Sequence, residues 1–118
     1  MAQVEFEITP DMIPLKDEKK YAGMYTFKTL DVGDSAKAVS KATIIKPGEA
    51  ASYDTTMGLV YKVSQSLLKT TAFEHSPDKP ATDILMSMSS GFFDLFVQIV
   101  NKLNPKIDVD LKKLFKDL

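Results

Sequence analysis

The sequence predicts a mainly α-helical chain with a small N-terminal β element, an α+β fold in which a compact helical domain carries a short β hairpin or ribbon. Two patterns predict this class. Apolar and polar residues alternate in two segments before residue 31, and apolar residues then recur at helical spacing over most of the chain. With 118 residues, 44% of them apolar and 26% charged, the composition is that of a globular domain.

The first β segment is Val4, Phe6 and Ile8, which alternate with acidic residues until Pro10 stops the strand. Residues 21–30 form the second, with aromatic and Thr residues that fit a pleated surface. Two prolines and the charged run of residues 16–20 leave the first twenty residues with little to bury apart from the first strand. We therefore expect residues 1–20 to be an extended, mobile arm unless the first strand finds a sheet partner, and residues 21–118 to be a single mainly helical domain.

Asp31 is expected to cap the first helix, with Asp34 in the first turn, where negative charge favours the helix dipole. Residues 46–48, Lys-Pro-Gly, end this helix. Its expected apolar face consists of Val32, Ala36, Val39 and Thr43.

Ser52 is expected to cap a second helix of about five turns. Its apolar face is read from Met57, Val60, Tyr61, Ser64, Leu67, Leu68 and Thr71. Residues 75–80 contain two prolines and are expected to be a loop.

Helix resumes at Thr82 and is interrupted at residues 89–91, where Ser89 or Ser90 can cap the next helix. That helix presents two adjacent apolar stripes and is expected to form the centre of the core. The stripes are Phe92, Phe96, Ile99 and Leu103, and Phe93, Val97 and Val100.

Asn104 and Pro105 stop this helix, and Asp108 or Asp110 can cap a last one. Its apolar side chains are Leu111, Leu114, Phe115 and Leu118. Such a terminal helix docks either on its own domain or on a neighbour. Because a helix this short is marginal alone, we predict that residues 106–118 form a helix whose face is covered by a partner, either a neighbouring subunit or a bound client protein. Met86 and Met88 are further candidate partner contacts, because Met side chains adapt to varied surfaces.

The composition argues against an enzyme. The chain has fifteen Lys but no Arg, no Cys, no Trp and a single His, His75, which removes bidentate anion clamps, thiolate nucleophiles and zinc thiolate sites. We assign no catalytic, cofactor-binding or metal-binding residue. His75 with Glu74 and Asp78 lacks metal-ligand spacing and is interpreted as part of a solvated loop. Residues 31–34 resemble a fragment of a calcium loop, but helix capping explains them better.

The net charge of −1 gives no excess positive potential for nucleic acid or an anionic membrane. The longest mostly apolar stretch, residues 91–103, is too short and too polar to span a bilayer. The start lacks a secretory signal pattern, and we expect a cytoplasmic protein.

The order of elements resembles that of the tail assembly chaperones of long-tailed phages and prophages. The resemblance covers residues 25–104: the strand at residues 25–30, Asp-Val-Gly-Asp at 31–34 opening a helix, a Pro-Gly loop, a longer helix from Tyr53 and Asp54, and the Leu-rich stretch of residues 83–88 before a Phe/Leu/Ile helix. Members often have an aromatic residue before the Gly, where this chain has Val32.

The resemblance implies a non-enzymatic, oligomerising protein that coats a long, apolar, helical tape measure protein during tail morphogenesis. Family members often also have a longer frameshift product. The alternative is a structural virion or mobile-element protein, such as a tail or connector subunit. A third class, a small enzyme or ligand-binding domain, is disfavoured because the chain offers almost no nucleophile, base or anion clamp.

Overall fold

A computed structural model describes residues 2–115 of the chain. The five strands are β1 (Gln3–Ile8), β2 (Gly23–Lys28), β3 (Thr43–Ile44), β4 (Ser52–Tyr53) and β5 (Leu67–Thr70). The five α-helices are α1 (Val32–Ala42), α2 (Thr55–Ser66), α3 (Thr82–Ser87), α4 (Ser90–Leu103) and α5 (Leu111–Leu114). The fold is α+β, as the sequence predicts.

The main sheet has three antiparallel strands in the order β1-β2-β5. β1 pairs with β2 along its whole length, from Gln3 opposite Lys28 to Ile8 opposite Gly23. Val4 and Phe6 are partly buried and Ile8 is buried, whereas Glu5 and Glu7 are exposed, so the alternation read from the sequence is confirmed.

Residues 3–20 pack on the domain and do not form the expected extended arm. β2 supplies the sheet partner that would order them. Two 3-10 helices, Pro10–Met12 and Lys16–Tyr21, connect β1 to β2, and they bury Glu18 and Tyr21. At the start of β2, Gly23 has φ +154°, and a Cβ there would lie 2.6 Å from the Thr71 hydroxyl, so this entry into the central strand requires glycine.

The N-terminus of α1 is capped as expected. The Asp31 carboxylate accepts from the Asp34 N–H at 2.7 Å, and the Asp34 carboxylate accepts from the Asp31 N–H at 3.2 Å. The predicted apolar face is wrong, because the buried side is Asp34, Ala38 and Ala42, and Val32 is 87% exposed. Two small Ala side chains allow the helix to approach α2 closely.

α2 begins and ends differently from the prediction. Asp54, not Ser52, caps it through the Met57 N–H, while Ser52 and Tyr53 pair with Thr43 and Ile44 as a two-residue ladder. The helix ends at Ser66, and residues 67–70 become the third strand of the sheet. Pairing with β5 gives the central strand its second neighbour, which helical periodicity around Leu67 does not reveal.

α4 covers the sheet, and the prediction that it forms the centre of the core is confirmed. Phe96 is fully buried, with its ring centroid 5.1 Å from that of Tyr25 and 5.4 Å from that of Phe27. Ser89 caps the helix through the Phe92 N–H. Both apolar stripes contribute, since Phe92, Phe96 and Val100 are buried and Phe93, Val97, Ile99 and Leu103 pack partly buried against them.

Candidate docking groove

An apolar groove runs between the 3-10 segment of residues 10–18 and the first turns of α4. Its volume is about 470 Å³. Its lining includes six apolar side chains: Ile8, Met12, Ile13, Leu15, Phe92 and Leu95. Ile8, Ile13 and Phe92 are buried and form its floor.

The rim of the groove is uncovered. Met12 is 63% exposed, Leu15 is 51% exposed and Leu95 is 40% exposed. Contiguous exposed apolar side chains above an apolar floor are typical of a surface that contacts a partner.

Lys19 fixes the curvature of the 3-10 segment. Its ammonium donates to the Pro10 carbonyl at 2.7 Å and to the Ile13 carbonyl at 3.0 Å. The Pro10 carbonyl also accepts the Ile13 N–H at 3.2 Å, so Lys19 adds a second donor to a carbonyl that is already bonded within the 3-10 turn. The main chain from residue 10 to 13 is therefore held with Met12 and Ile13 toward the groove.

Glu18 ties this segment to α4. Its carboxylate accepts the Ser89 N–H at 2.8 Å and, through the other oxygen, the Ser89 hydroxyl. Ser89 is the N-cap of α4, so the negative charge of Glu18 lies at the positive end of the helix dipole. Glu18 is 8% exposed and both its oxygens are engaged, so it is a structural group of the groove wall.

The groove offers little chemistry beyond apolar contact. At the edge, a hydrogen bond from Thr9 holds the pKa of Asp11 below its ordinary value, so that this carboxylate is charged at neutral pH. Residues 2–115 contain no group of three or more His, Asp or Glu side chains that could hold a metal ion.

The predicted partner-binding residues lie on separate elements. Met86 of α3 is 55% exposed, whereas Met88 is 7% exposed and belongs to the core. Leu111 and Leu114 of α5 are 64% and 60% exposed, and Phe115, the C-cap of α5, is 51% exposed. Leu118 lies outside the described residues. Because Met88 is buried, a partner would not reach its side chain.

The sequence interpretation missed the groove because one of its two sides, residues 8–18, falls within the predicted arm. The signal that was available is the run Met12-Ile13-Pro14-Leu15, in which three large apolar side chains surround a proline. A mobile arm has no reason to carry such a cluster, since disordered segments are poor in large apolar residues.

His75 is not part of a solvated loop, which corrects the sequence interpretation. It is 9% exposed, and its ring joins three backbone groups. The Ala81 N–H donates to Nδ1 at 3.1 Å, so Nδ1 carries no proton and Nε2 does. Nε2 lies 2.7 Å from the Leu67 carbonyl and 3.1 Å from the Ser64 carbonyl and donates to them.

Burial lowers the pKa of His75 below its ordinary value, against the opposing effect of the two carbonyl groups. The neutral ring connects the end of α2 and the start of β5 to the start of α3. Its ring nitrogens are occupied by main-chain groups, so we assign it a structural role.

Two other groups have pKa values shifted by their surroundings. Burial raises the pKa of Tyr25 to about 12, and its hydroxyl donates to the Tyr21 carbonyl at 2.6 Å. Burial acts to raise the pKa of Asp34, but the Asp31 N–H and the Lys28 ammonium, 3.1 Å away, outweigh it and hold this pKa below its ordinary value. Both groups stabilise the fold and lie away from the groove.

In the part of the chain from Ala2 to Phe115, none of the helices has the length and apolar character needed to cross a membrane. Comparisons with protein-family models, with curated proteins and with solved structures give no match to this chain.

Proposed function

We propose that the protein is a non-enzymatic binding protein that holds the apolar face of a helix of another protein, and that it acts as a phage or prophage tail assembly chaperone for a tape measure protein. The observation that supports this proposal is the groove, with its buried floor and uncovered rim of Met12, Leu15 and Leu95. The tail assembly role itself rests on the resemblance of residues 25–104.

The apolar lining of the groove suits the apolar face of a helix. Helix-binding grooves take apolar anchors spaced at i, i+3 or i+4 and i+7, with few polar contacts along the floor. The one buried carboxylate in the wall, Glu18, is already paired with Ser89. A partner therefore meets apolar side chains without leaving a buried charge unpaired.

The rim residues favour a tolerant contact over a specific one. Met12 is unbranched and polarizable, and such side chains repack around different partners. A chaperone of a long tape measure protein must hold many similar helical segments. We place this activity in the host cytoplasm, where a tail is assembled.

The experiment measures binding of a fluorescent, 20-residue amphipathic helical peptide with Leu at i, i+3, i+4 and i+7. We expect the wild-type protein to bind it and to suppress its aggregation. Leu15→Glu places a charge on the rim and is expected to weaken binding about tenfold or more. The control is Ile45→Glu, because Ile45 is 77% exposed and is not a groove residue.

Equal binding by Leu15→Glu and the wild-type protein would contradict the proposal. If the wild-type protein polymerises into tubes or large rings, and the protein still does not bind the peptide after deletion of residues 106–118, the results would support the alternative, a structural virion or mobile-element subunit.

A further inference from the structure

The C-terminal segment after α4 has an apolar face that its own chain does not cover. Every residue from 105 to 115 is exposed, and none of them belongs to the hydrophobic core. Leu111, Leu114 and Phe115 follow the i, i+3, i+4 spacing of one helix face. The Asp110 carboxylate accepts the Lys112 N–H at 3.0 Å and so caps the helix.

The shape of the molecule agrees with a projecting segment. The Cα radius of gyration is 17.1 Å, whereas a compact chain of this length has about 13.5 Å. A single turn of helix is unstable in isolation in water, so α5 needs a surface on which to dock.

The groove and the segment have complementary charge as well as complementary apolar surface. The stretches that build the groove, residues 8–19 and 89–95, carry four carboxylates and two ammonium groups, a net charge of −2. Residues 106–115 carry Lys106, Lys112 and Lys113 against Asp108 and Asp110, a net charge of +1. Opposite charges around an apolar contact favour docking of the segment in the groove over contact between two grooves or between two segments.

The positions of the two surfaces indicate that the segment of one molecule docks on another molecule. The groove lies at the first turns of α4, and the segment leaves from its other end, after Leu103. The 14 residues of α4 separate these ends by about 20 Å. Within one chain the segment leaves the groove uncovered.

We propose that residues 106–115 of one molecule dock, through Leu111, Leu114 and Phe115, in the groove of a second copy of the same chain. Groove and segment are different surfaces, so the contact is heterologous and repeats into a ring or an open chain of molecules. This inference uses the groove of the proposed function, but self-docking does not depend on a client. A client helix and the segment exclude each other from the groove.

The test measures molecular mass by sedimentation of three full-length proteins and one truncation. We expect the wild-type protein to associate in a concentration-dependent manner. Deletion of residues 106–118 removes the segment and keeps the groove. Leu15→Glu keeps the segment and blocks the groove. Measured separately, the truncated protein and Leu15→Glu are each expected to self-associate about tenfold or more weakly and to sediment at or near the monomer mass. The control Ile45→Glu is expected to associate like the wild-type protein.

Mixing is the deciding step. The truncated protein supplies a free groove and Leu15→Glu supplies a free segment, so the 1:1 mixture is expected to form a heterodimer that neither forms alone. Loss of association on deletion but not in Leu15→Glu would overturn the proposal in favour of segments packing on each other. The proposal would also be overturned if the wild-type protein is monomeric and the truncated protein binds the helical peptide no more tightly than the wild-type protein does.

The two proposals fail separately. If the truncated protein binds the amphipathic peptide but forms no heterodimer, only the self-docking inference is contradicted. A heterodimer with no peptide binding by the truncated protein contradicts the client-binding function alone. Circular dichroism of each variant confirms that the domain is folded, which is expected because residues 105–115 contribute nothing to the core.

Discussion

His75 shows how one buried polar side chain organises a junction of main-chain segments. α2 ends at Ser66, so the Ser64 carbonyl lies in its last turn and lacks a helical partner further along the chain. The imidazole donates to it and to the Leu67 carbonyl, and accepts from the Ala81 N–H. Each ring nitrogen is satisfied only in the neutral Nε2–H tautomer, because a proton on Nδ1 would face the Ala81 donor.

The stability of the protein should therefore depend on pH through His75. Its pKa in the folded state is lowered below the unfolded value of 6.5. Above about pH 6.5 both states are neutral and the contribution is complete; below it the unfolded state binds the proton first, so the free energy of unfolding falls as the pH is lowered from 7.5 to 5.5. Urea denaturation at several pH values measures this slope.

His75→Gln is the matching variant, because Gln does not titrate. We expect it to lose about 1–3 kcal/mol at pH 7.5 from the broken hydrogen bonds and to show a flatter slope. Asp34 does not interfere: its pKa is lowered from 3.8, so its contribution is present above about pH 4 and is lost only on further acidification. An unchanged slope in His75→Gln would contradict the assigned role.

At the scale of elements, helix ends are satisfied both locally and across the fold. α1 is capped within its own first turn by Asp31 and Asp34. α4 is capped locally by the Ser89 side chain and also by Glu18, 71 residues earlier in the chain. The second arrangement joins the 3-10 segment to the core helix, which gives the groove a fixed wall.

Glu18→Ala is expected to lower the free energy of unfolding by about 1–3 kcal/mol. The variant leaves the Ser89 N–H without its partner and removes a negative charge from the helix N-terminus. Urea denaturation measures the effect. Glu7→Ala is the control, since Glu7 is exposed on β1 and should change stability by less than about 0.5 kcal/mol. Similar small changes in both variants would show that Glu18 does not stabilise this junction.

At the scale of the whole molecule, one core joins the sheet to the helices. Phe96 contacts the rings of Tyr25, Phe27 and Phe92, so it bridges α4 and the central strand. The segment after Pro105 stands outside this core. The molecule thus separates a folded body from an attached segment whose apolar side chains remain available.

Phe96→Ala is expected to destabilise the protein by about 3–5 kcal/mol, because it empties a fully buried aromatic site. Leu95→Ala on the same helix is the control, with a side chain 40% exposed and an expected loss below about 1 kcal/mol. Chemical denaturation compares them. An unchanged midpoint in Phe96→Ala would mean that this stripe does not face the core.

Features that depend on near neighbours in the chain could be predicted from the sequence. The cap of α1 at Asp31 and the end of α4 at residues 104–105 were predicted, and the cap of α4 was narrowed to Ser89 or Ser90, because capping and chain breaking act over three or four residues. The buried stripes of α4 were predicted because helical periodicity places them on one side. The exposed apolar residues of α5 were also singled out from spacing alone.

Features that join distant segments could not be predicted from local patterns. Residues 67–70 continue the helical pattern of α2, yet pairing with β2 makes them a strand, because the central strand gains its second row of hydrogen bonds there. β2 likewise orders β1, and Glu18 then reaches Ser89, so a predicted arm becomes the wall of the groove. His75 is buried by three backbone groups that no local pattern brings together. Each of these outcomes depends on contacts that exist only once the chain is folded.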